Sequence, residues 1–253
     1  MFTLRLLIGA LVLLSACKIH KPPLSIRVAK VSFNNSGPPI STTIEFPQII
    51  SGLTPEIGAK INEAVRAKIL APMREGKPID SPQDLAAQFA DEYRLLQARA
   101  PDYNLPWFVT RKASLVTATP SVVSFECDNE SFTGGAHPNT IFTYLNFNPA
   151  TGDRVPLSDL LKPDTEARLM QIAEKRFREM KKLAPGADLN GSGYQFPDDR
   201  FALAKNFYPS SAGLVFYYNS YEIAPYVMGP TVLTIPYTGI KDLIQPGVEL
   251  PGK

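Results

Sequence analysis

Proline is unusually frequent in this sequence and limits how long any helix or strand can run. The chain contains 24 prolines in 253 residues, about twice the usual share of about 5%. Because proline lacks a backbone N–H and fixes its own φ angle, it interrupts helix interiors and central strands. We therefore expect many turns and few long elements. The apolar share of 44% and the charged share of 20% are otherwise ordinary for a globular chain.

The hydrophobic periodicity places strands and helices in separate stretches of the chain. Capping residues followed by proline predict helices that begin after Thr54 and Ser81, and Asp164 predicts the start of a third. Residues 140–147 are apolar on both sides, which predicts a central strand covered on both faces. The predicted strands are 26–33, 40–46, 108–119, 121–132, 140–147, 201–208, 214–218 and 231–235. Runs of strands with segregated helices predict an α+β fold with antiparallel or mixed sheets.

The first residues have the features of a bacterial lipoprotein leader. Arg5 precedes the apolar run Leu6–Leu14, which is shorter than the about 20 residues that a membrane-spanning helix needs and fits a signal peptide. Leu14-Ser15-Ala16-Cys17 then resembles a lipobox, so we expect cleavage before Cys17 and anchoring in the membrane by acyl chains, palmitate among them. Lys18 is not the aspartate that marks inner-membrane retention in enterobacteria. In a Gram-negative host we expect the outer membrane, facing the periplasm.

The sequence offers little chemistry for catalysis, a metal or a cofactor, and we predict none of the three. His20 and His137 are its histidines, fewer than a histidine-based zinc site needs, and the nucleotide-binding and nucleophile-elbow motifs are missing. Asp198-Asp199 is an adjacent acidic pair, but neighbours on an extended chain point to opposite sides. Cys127 is interpreted as a buried strand residue. A net charge of +2 without a basic block argues against a nucleic-acid partner.

Tyrosines crowd the C-terminal third of the chain and provide the best candidates for ligand binding. Tyr221 and Tyr226 lie in a loop that Pro225, Gly229 and Pro230 shape, with Glu222 between them. A tyrosine combines an apolar ring with a polar tip, which suits both interfaces and sugar stacking. The same residue type also suits a buried core, so the composition alone leaves both readings open.

Short motifs follow one another in a characteristic order over most of the chain. They are Ile44–Ile49 with Ile61-Asn62, Thr133-Gly134-Gly135-Ala136-His137-Pro138-Asn139, Asn146-Phe147, Thr151-Gly152, Leu157–Leu160, Gly213–Phe216, Tyr221–Tyr226 and Ile235-Pro236-Tyr237. Together they resemble the extracytoplasmic domains of the RsiV/PdaC type. The resemblance implies an α+β module built from two intimate sub-domains and located outside the cytoplasm.

The resemblance also implies recognition rather than chemistry. In RsiV the domain belongs to an anti-sigma factor that recognises lysozyme, and in PdaC it accompanies a peptidoglycan deacetylase. The sequence shows neither a sigma-binding segment with a transmembrane helix nor the acid and histidine motifs of the deacetylase, so we expect neither activity. What remains is binding of a lysozyme-like protein or of cell-wall glycan.

These observations define a domain plan with four segments. Residues 1–16 are the signal peptide and 17–25 a tether. Pro101–Pro106 is the reasonable boundary between an N-terminal α+β part over 26–105 and a C-terminal RsiV-like part over 106–253.

The favoured hypothesis is a non-enzymatic cell-envelope lipoprotein that binds a lysozyme-like protein or cell-wall glycan. The residues predicted to bind it are His137, Asn139, Tyr221, Glu222 and Tyr226. One alternative is a hydrolase of envelope polysaccharide that uses Glu222 or Asp198/Asp199. Another is a structural envelope lipoprotein.

Overall fold

The computed structural model describes residues 25–37, 39–73 and 79–252. The predicted signal peptide, Cys17 and most of the tether therefore lie outside the described residues. Within these ranges eight strands form two sheets and three α-helices pack against them, which confirms the predicted α+β class. The elements are β1 (Arg27–Gly37), β2 (Ile40–Ser51), α1 (Pro55–Ile69), α2 (Pro82–Arg99), β3 (Trp107–Ala118), β4 (Val123–Phe132), β5 (Asn139–Phe147), α3 (Glu166–Met180), β6 (Phe207–Ser210), β7 (Gly213–Tyr218) and β8 (Thr231–Ile235).

The larger sheet has the strand order β1-β2-β3-β4-β5. Its neighbouring strands are antiparallel except β2 and β3, which run parallel and place Ile44 opposite Arg111. The parallel pair is possible because α1 and α2 supply the long crossover that it requires. Since β2 and β3 come from the two predicted parts, the boundary at Pro101–Pro106 falls between strands of one sheet. That Pro101–Pro106 separates two domains stays a prediction.

Helices α1 and α2 cover one face of the larger sheet, and both begin where the capping signals predict. The Thr54 hydroxyl accepts a hydrogen bond from the Ile57 N–H at 3.4 Å, and the Ser81 hydroxyl accepts one from the Asp84 N–H at 3.1 Å. Side chains of both helices and of β2 to β5 form the first core, among them Ile44, Ile61, Val65, Leu85, Phe89, Trp107, Phe125 and Phe147. Among the described residues, no helix is long and apolar enough to cross a membrane.

The smaller sheet, β6-β7-β8, is antiparallel and forms a second core with α3. Phe177 of α3 is fully buried, and its ring centroid lies 5.0 Å from that of Tyr194 and 5.4 Å from that of Phe201. The two cores meet at the start of β4, where the adjacent residues Val122 and Val123 belong to different cores. Neighbouring residues of an extended chain face opposite ways, so this short stretch contributes to both cores.

Strand β5 lies at the edge of its sheet, so the prediction of a central strand is wrong in this respect. Side-chain amides of two asparagines take the place of a neighbouring strand. The Asn206 side chain accepts from the Tyr144 N–H at 2.8 Å and donates to the Phe142 carbonyl at 2.9 Å. The Asn219 side chain accepts from the Phe142 N–H at 2.8 Å and donates to the same carbonyl at 3.0 Å. These bonds satisfy the edge and join β5 to the segments that flank β6 and β7.

Replacing Asn206 by alanine leaves the Tyr144 N–H without its acceptor in a partly buried position. We expect the variant to lose about 1–3 kcal/mol in the free energy of unfolding, measured by urea denaturation of the chain from Lys18 to Lys253. Asn104→Ala is the matched control, because Asn104 is exposed in the loop before β3; its change should stay within about 0.5 kcal/mol. Equal stability of the two variants would contradict a bridging role for Asn206.

Candidate functional site

The turn between β4 and β5 contacts the loop that follows β7, and the contact consists of aromatic rings. The imidazole of His137 stacks on the ring of Tyr226, with 3.6 Å between centroids and 11° between planes. Nε2 of His137 lies 3.2 Å from the Tyr221 hydroxyl, and the Tyr221 and Tyr226 rings lie 5.5 Å apart. The structure therefore brings together three of the five residues predicted for ligand binding.

Hydrogen bonds at this contact orient the imidazole. Nδ1 of His137 lies 2.8 Å from the Pro138 carbonyl. A carbonyl oxygen only accepts hydrogen bonds, so the proton of a neutral imidazole is assigned to Nδ1. Nε2 is then the acceptor for the Tyr221 hydroxyl. The stacked ring of Tyr226 and the hydroxyl of Tyr221 thus hold the imidazole from two directions.

The loop after β7 has an uncommon backbone that keeps its tyrosines at the surface. Tyr221 has a φ of 68°, in the left-handed region that residues other than glycine seldom adopt and that is often found at functional sites. Pro225 and Gly229 bracket a single 3₁₀ turn, Tyr226–Met228. Glu222 accepts a hydrogen bond from the Asn219 N–H at 2.8 Å. Its carboxylate therefore fixes the turn that carries Tyr221.

The two tyrosines and the two apolar residues that follow Tyr226 in its 3₁₀ turn are open to solvent. Tyr221 is 58% exposed, Tyr226 37%, Val227 91% and Met228 41%. We call His137, Tyr221, Tyr226, Val227 and Met228 the aromatic patch. Contiguous exposed apolar surface is characteristic of interaction sites, and tyrosine and methionine are enriched in them.

Asn139 lies apart from the aromatic patch although it follows His137 by only two residues. It starts β5 opposite Ser131 and lines a cavity of about 310 Å³ that Lys68 and Arg111 also border. The predicted ligand-binding residues are therefore divided: His137, Tyr221 and Tyr226 form the patch, Glu222 supports its loop, and Asn139 belongs to the cavity. Their roles toward a ligand stay predictions.

Asp198 and Asp199 belong to a loop that uses polar side chains for its own structure. Both have positive φ, and Asp199 Oδ1 accepts from the Asn190 N–H at 2.7 Å. The spacing of Asp188, Asn190, Ser192 and the glycine after it is similar to that of a calcium-binding loop. However, the Asn190 amide donates to the Phe196 carbonyl at 3.0 Å and accepts from the Phe196 N–H at 2.8 Å. Within the described ranges no group of three or more His, Cys, Asp or Glu residues is placed to hold a metal ion.

A second acidic group, which the sequence interpretation missed, lies on the face of the larger sheet that the helices leave uncovered. Glu126 and Asp128 alternate along β4 and line a groove of about 610 Å³, which Glu45, Lys30 and Lys112 also line. The Tyr144 hydroxyl donates to Glu126 Oε2 at 2.7 Å, and the Tyr144 ring stacks on Tyr208 at 4.2 Å. Burial, followed by the nearby charges of Glu130 and Glu126, raises the pKa of Asp128. The period-two spacing of acids along a predicted strand is the signal that identifies this group. We call it the acidic groove.

Cys127 lies between these acids in sequence but faces the first core. It is 3% exposed, which confirms the prediction of a buried strand residue. Burial raises the pKa of its thiol to about 12. The reactive form of cysteine is the thiolate, so this thiol is unreactive near neutral pH.

Two family models match consecutive parts of the chain. Residues 34–140 match the model described as Deacetylase PdaC, and residues 158–238 match the model described as a protein of unknown function, DUF3298. The aromatic patch takes His137 from the first segment and its remaining residues from the second. No curated protein sequence matches the chain significantly.

The fold is similar to that of solved structures from two bacteria. A crystal structure of a DUF3298 family member from Bacteroides fragilis has a TM-score of 0.70 and 19% identity, and the match covers 87% of this chain and 94% of that chain. A DUF3298 family protein from Pseudomonas aeruginosa has a TM-score of 0.65 and 20% identity over 89% of this chain and 96% of that chain. At this identity the likeness shows a common fold.

Proposed function

We propose that this protein is a non-enzymatic recognition module of the bacterial cell envelope and that its aromatic patch binds a lysozyme-like protein or cell-wall glycan. The observation that carries the proposal is the exposure of Tyr221, Tyr226, Val227 and Met228 around an imidazole that the two tyrosines hold. The match of residues 34–140 to a model named after a deacetylase, PdaC, supports a location outside the cytoplasm.

The geometry of the patch suits binding because its rings are ordered before a partner arrives. Stacking against His137 leaves Tyr226 little rotational freedom to lose, and ordering a side chain on binding otherwise costs about 0.5–1.5 kcal/mol. Tyr226 is still 37% exposed, so part of its ring surface is available for an apolar side chain or a sugar ring. Tyrosine is also enriched among the residues that contribute most to binding energy at interfaces.

Tyr221→Ala and Tyr226→Ala should each weaken binding of a lysozyme to the chain from Lys18 to Lys253. The expected loss is about 1–3 kcal/mol, because each change removes an exposed aromatic anchor. The measurement is isothermal titration calorimetry at physiological salt, followed by a test for inhibition of the lysozyme and by the same titration with soluble peptidoglycan fragments. Leu95→Ala is the control, since Leu95 is 56% exposed on α2, outside the patch.

Unchanged affinity of both tyrosine variants for a bound partner would remove the patch as the binding surface. If neither lysozyme nor peptidoglycan fragments bind the wild-type chain, recognition of these partners is wrong. The structural envelope lipoprotein then becomes the better hypothesis.

The proposal includes a lipid anchor at Cys17. Cys17→Ser should abolish incorporation of labelled palmitate and release the protein from the membrane fraction, because the thioether that holds the acyl chains cannot form. The variant Lys18→Ala is the control and should remain labelled. Palmitate labelling of Cys17→Ser would disprove the predicted site.

Hydrolysis of envelope polysaccharide is a second candidate function. The acidic groove is a better candidate site for this reaction than Glu222 or Asp198/Asp199. Glu126 and Asp128 are two positions apart on one strand face, about 7 Å along the backbone, a spacing compatible with paired glycosidase carboxylates. Burial raises the pKa of Asp128, which is the direction that a general acid requires. The Tyr144 hydroxyl donates a hydrogen bond to the carboxylate of Glu126.

If the acidic groove is catalytic, the wild-type chain releases soluble sugars from peptidoglycan, and Glu126→Gln and Asp128→Asn each reduce turnover by about 100-fold or more. Asp102→Asn, at an exposed position in the loop before β3, is the control. Product release is measured by reducing-end assay and mass spectrometry. Absence of turnover by the wild-type chain, or equal turnover by all variants, would rule out this function.

A further inference from the structure

We propose that the cavity beside Arg111 binds the carboxylate group of a small ligand. The cavity, of about 310 Å³, lies between the helix-facing side of the larger sheet and the C-terminal end of α1. Its lining includes no residue of the aromatic patch and shares Asp128 with the acidic groove. Its volume is at the lower end of the range for small-molecule sites, which fits one sugar ring or a dipeptide.

Arg111 is the central residue of this cavity because its charge is buried and, within the described part of the chain, forms no ion pair with an acid. The side chain is 5% exposed, and an unpaired buried charge is costly. Burial lowers its pKa to about 10, and no carboxylate of the described residues contributes to this shift. A ligand carboxylate would supply the missing charge.

The hydrogen bonds of the guanidinium are made by Nη1. Nη1 donates both of its hydrogens, to the Ile69 carbonyl at 2.8 Å and to the Ala71 carbonyl at 2.5 Å. Nε is buried and has no hydrogen-bond partner among the described residues. In a guanidinium the N–H groups of Nε and Nη2 form the parallel pair that matches the two oxygens of a carboxylate. Binding the end of α1 therefore accounts for Nη1 and leaves Nε with an unsatisfied hydrogen-bonding capacity.

The strand register places further polar groups around the guanidinium. Asn129 pairs with Arg111 across β3 and β4, and its Oδ1 is buried without a partner among the described residues. Ser131, Asn139 and Thr143 line the same cavity, as does Lys68 from α1. Asp128 also borders it, but strand alternation turns the Asp128 side chain to the acidic groove. The helix-facing side thus combines two cations with neutral hydrogen-bonding groups.

The remaining wall of the cavity is apolar and limits what the rest of the ligand contains. Ile69, Met73 and Ile141 line this side, and Ile141 is 40% exposed. Such a wall fits methyl and ring carbons better than a second charge. The favoured ligand is therefore a monocarboxylate with a compact, partly apolar body, such as an acidic amino sugar or the C terminus of a short peptide.

The test uses pairs of probes that differ in the carboxylate. N-acetylmuramic acid is compared with N-acetylglucosamine, and D-alanyl-D-alanine with its C-terminal amide, by NMR titration of the chain from Lys18 to Lys253. We expect saturable shifts of the backbone amides of Asn129, Ile141 and Thr143 with at least one carboxylate probe and not with its neutral counterpart. The responding pair identifies an acidic sugar or a peptide terminus as the source. Absence of shifts with both acids, or equal shifts with the neutral probes, would overturn the proposal.

Variants test whether Arg111 is the binding group. Arg111→Lys keeps the charge but removes the paired N–H groups, so the affinity for the responding acid should fall by about 10- to 100-fold. Asn139→Ala, at an exposed position of the cavity wall, should weaken binding without unfolding the chain, which urea denaturation checks. Tyr226→Ala should leave the affinity for the carboxylate probe unchanged. An error in the carboxylate-site proposal can therefore be distinguished from an error in the proposed binding at the aromatic patch. Wild-type affinity in both Arg111→Lys and Asn139→Ala would contradict the assignment.

A competing explanation is that an acid of the chain itself neutralises the charge of Arg111. Glu75 follows Met73 by two residues. If the chain itself neutralised Arg111 through this acid, Glu75→Gln would lower the stability of the protein and create binding of the carboxylate probes that wild type lacks. Binding by wild type with unchanged or modestly improved affinity in Glu75→Gln supports the ligand site.

Discussion

The amides of Asn206 and Asn219 are the constraint on which the arrangement of this molecule depends. An open strand edge exposes N–H and carbonyl groups and invites pairing with another chain. Here the two side chains occupy that edge and link β5 to the segments around β6 and β7. Asn219 precedes Tyr221 by two residues, and Phe142 follows His137 by five. The bonds that close the sheet edge therefore also hold the two halves of the aromatic patch together.

Much of the fold could be predicted because its determinants are local. Capping residues before proline marked α1 and α2, and alternation marked most strands. Strand β6 was displaced: 201–208 was predicted and Phe207–Ser210 is observed, since Phe201 is buried by packing against Phe177 without entering a sheet. The edge position of β5 could not be predicted, because amides more than 60 positions away satisfy it. Apolar residues on both sides of a strand indicate two covered faces, but not two neighbouring strands.

Part of the candidate site could also be predicted from local sequence features. Glycine- and proline-rich loops with aromatic residues indicated His137, Tyr221 and Tyr226, which lie in contact. Asn139 was grouped with them by sequence proximity, yet it lines the cavity on the helix-facing side of the larger sheet. The carboxylate of Glu222 accepts a hydrogen bond from the Asn219 N–H within its own turn, and its role toward a ligand stays a prediction. Arg111 went unnoticed because a single cation within a strand normally indicates an exposed face.

Alternation along β4 explains why one strand serves two different environments. Cys127, Asn129 and Ser131 face the helices, whereas Glu126 and Asp128 face the acidic groove. The two sides differ in charge. Arg111 is buried on one side with no ion pair to an acid of the described residues, whereas on the other side burial, followed by the charges of Glu130 and Glu126, raises the pKa of Asp128. A carboxylate is attracted toward Arg111, where burial lowers the effective dielectric constant and strengthens the attraction. The helix-facing side of the strand thus favours an anionic ligand, whereas the groove combines three acids with Lys30 and Lys112.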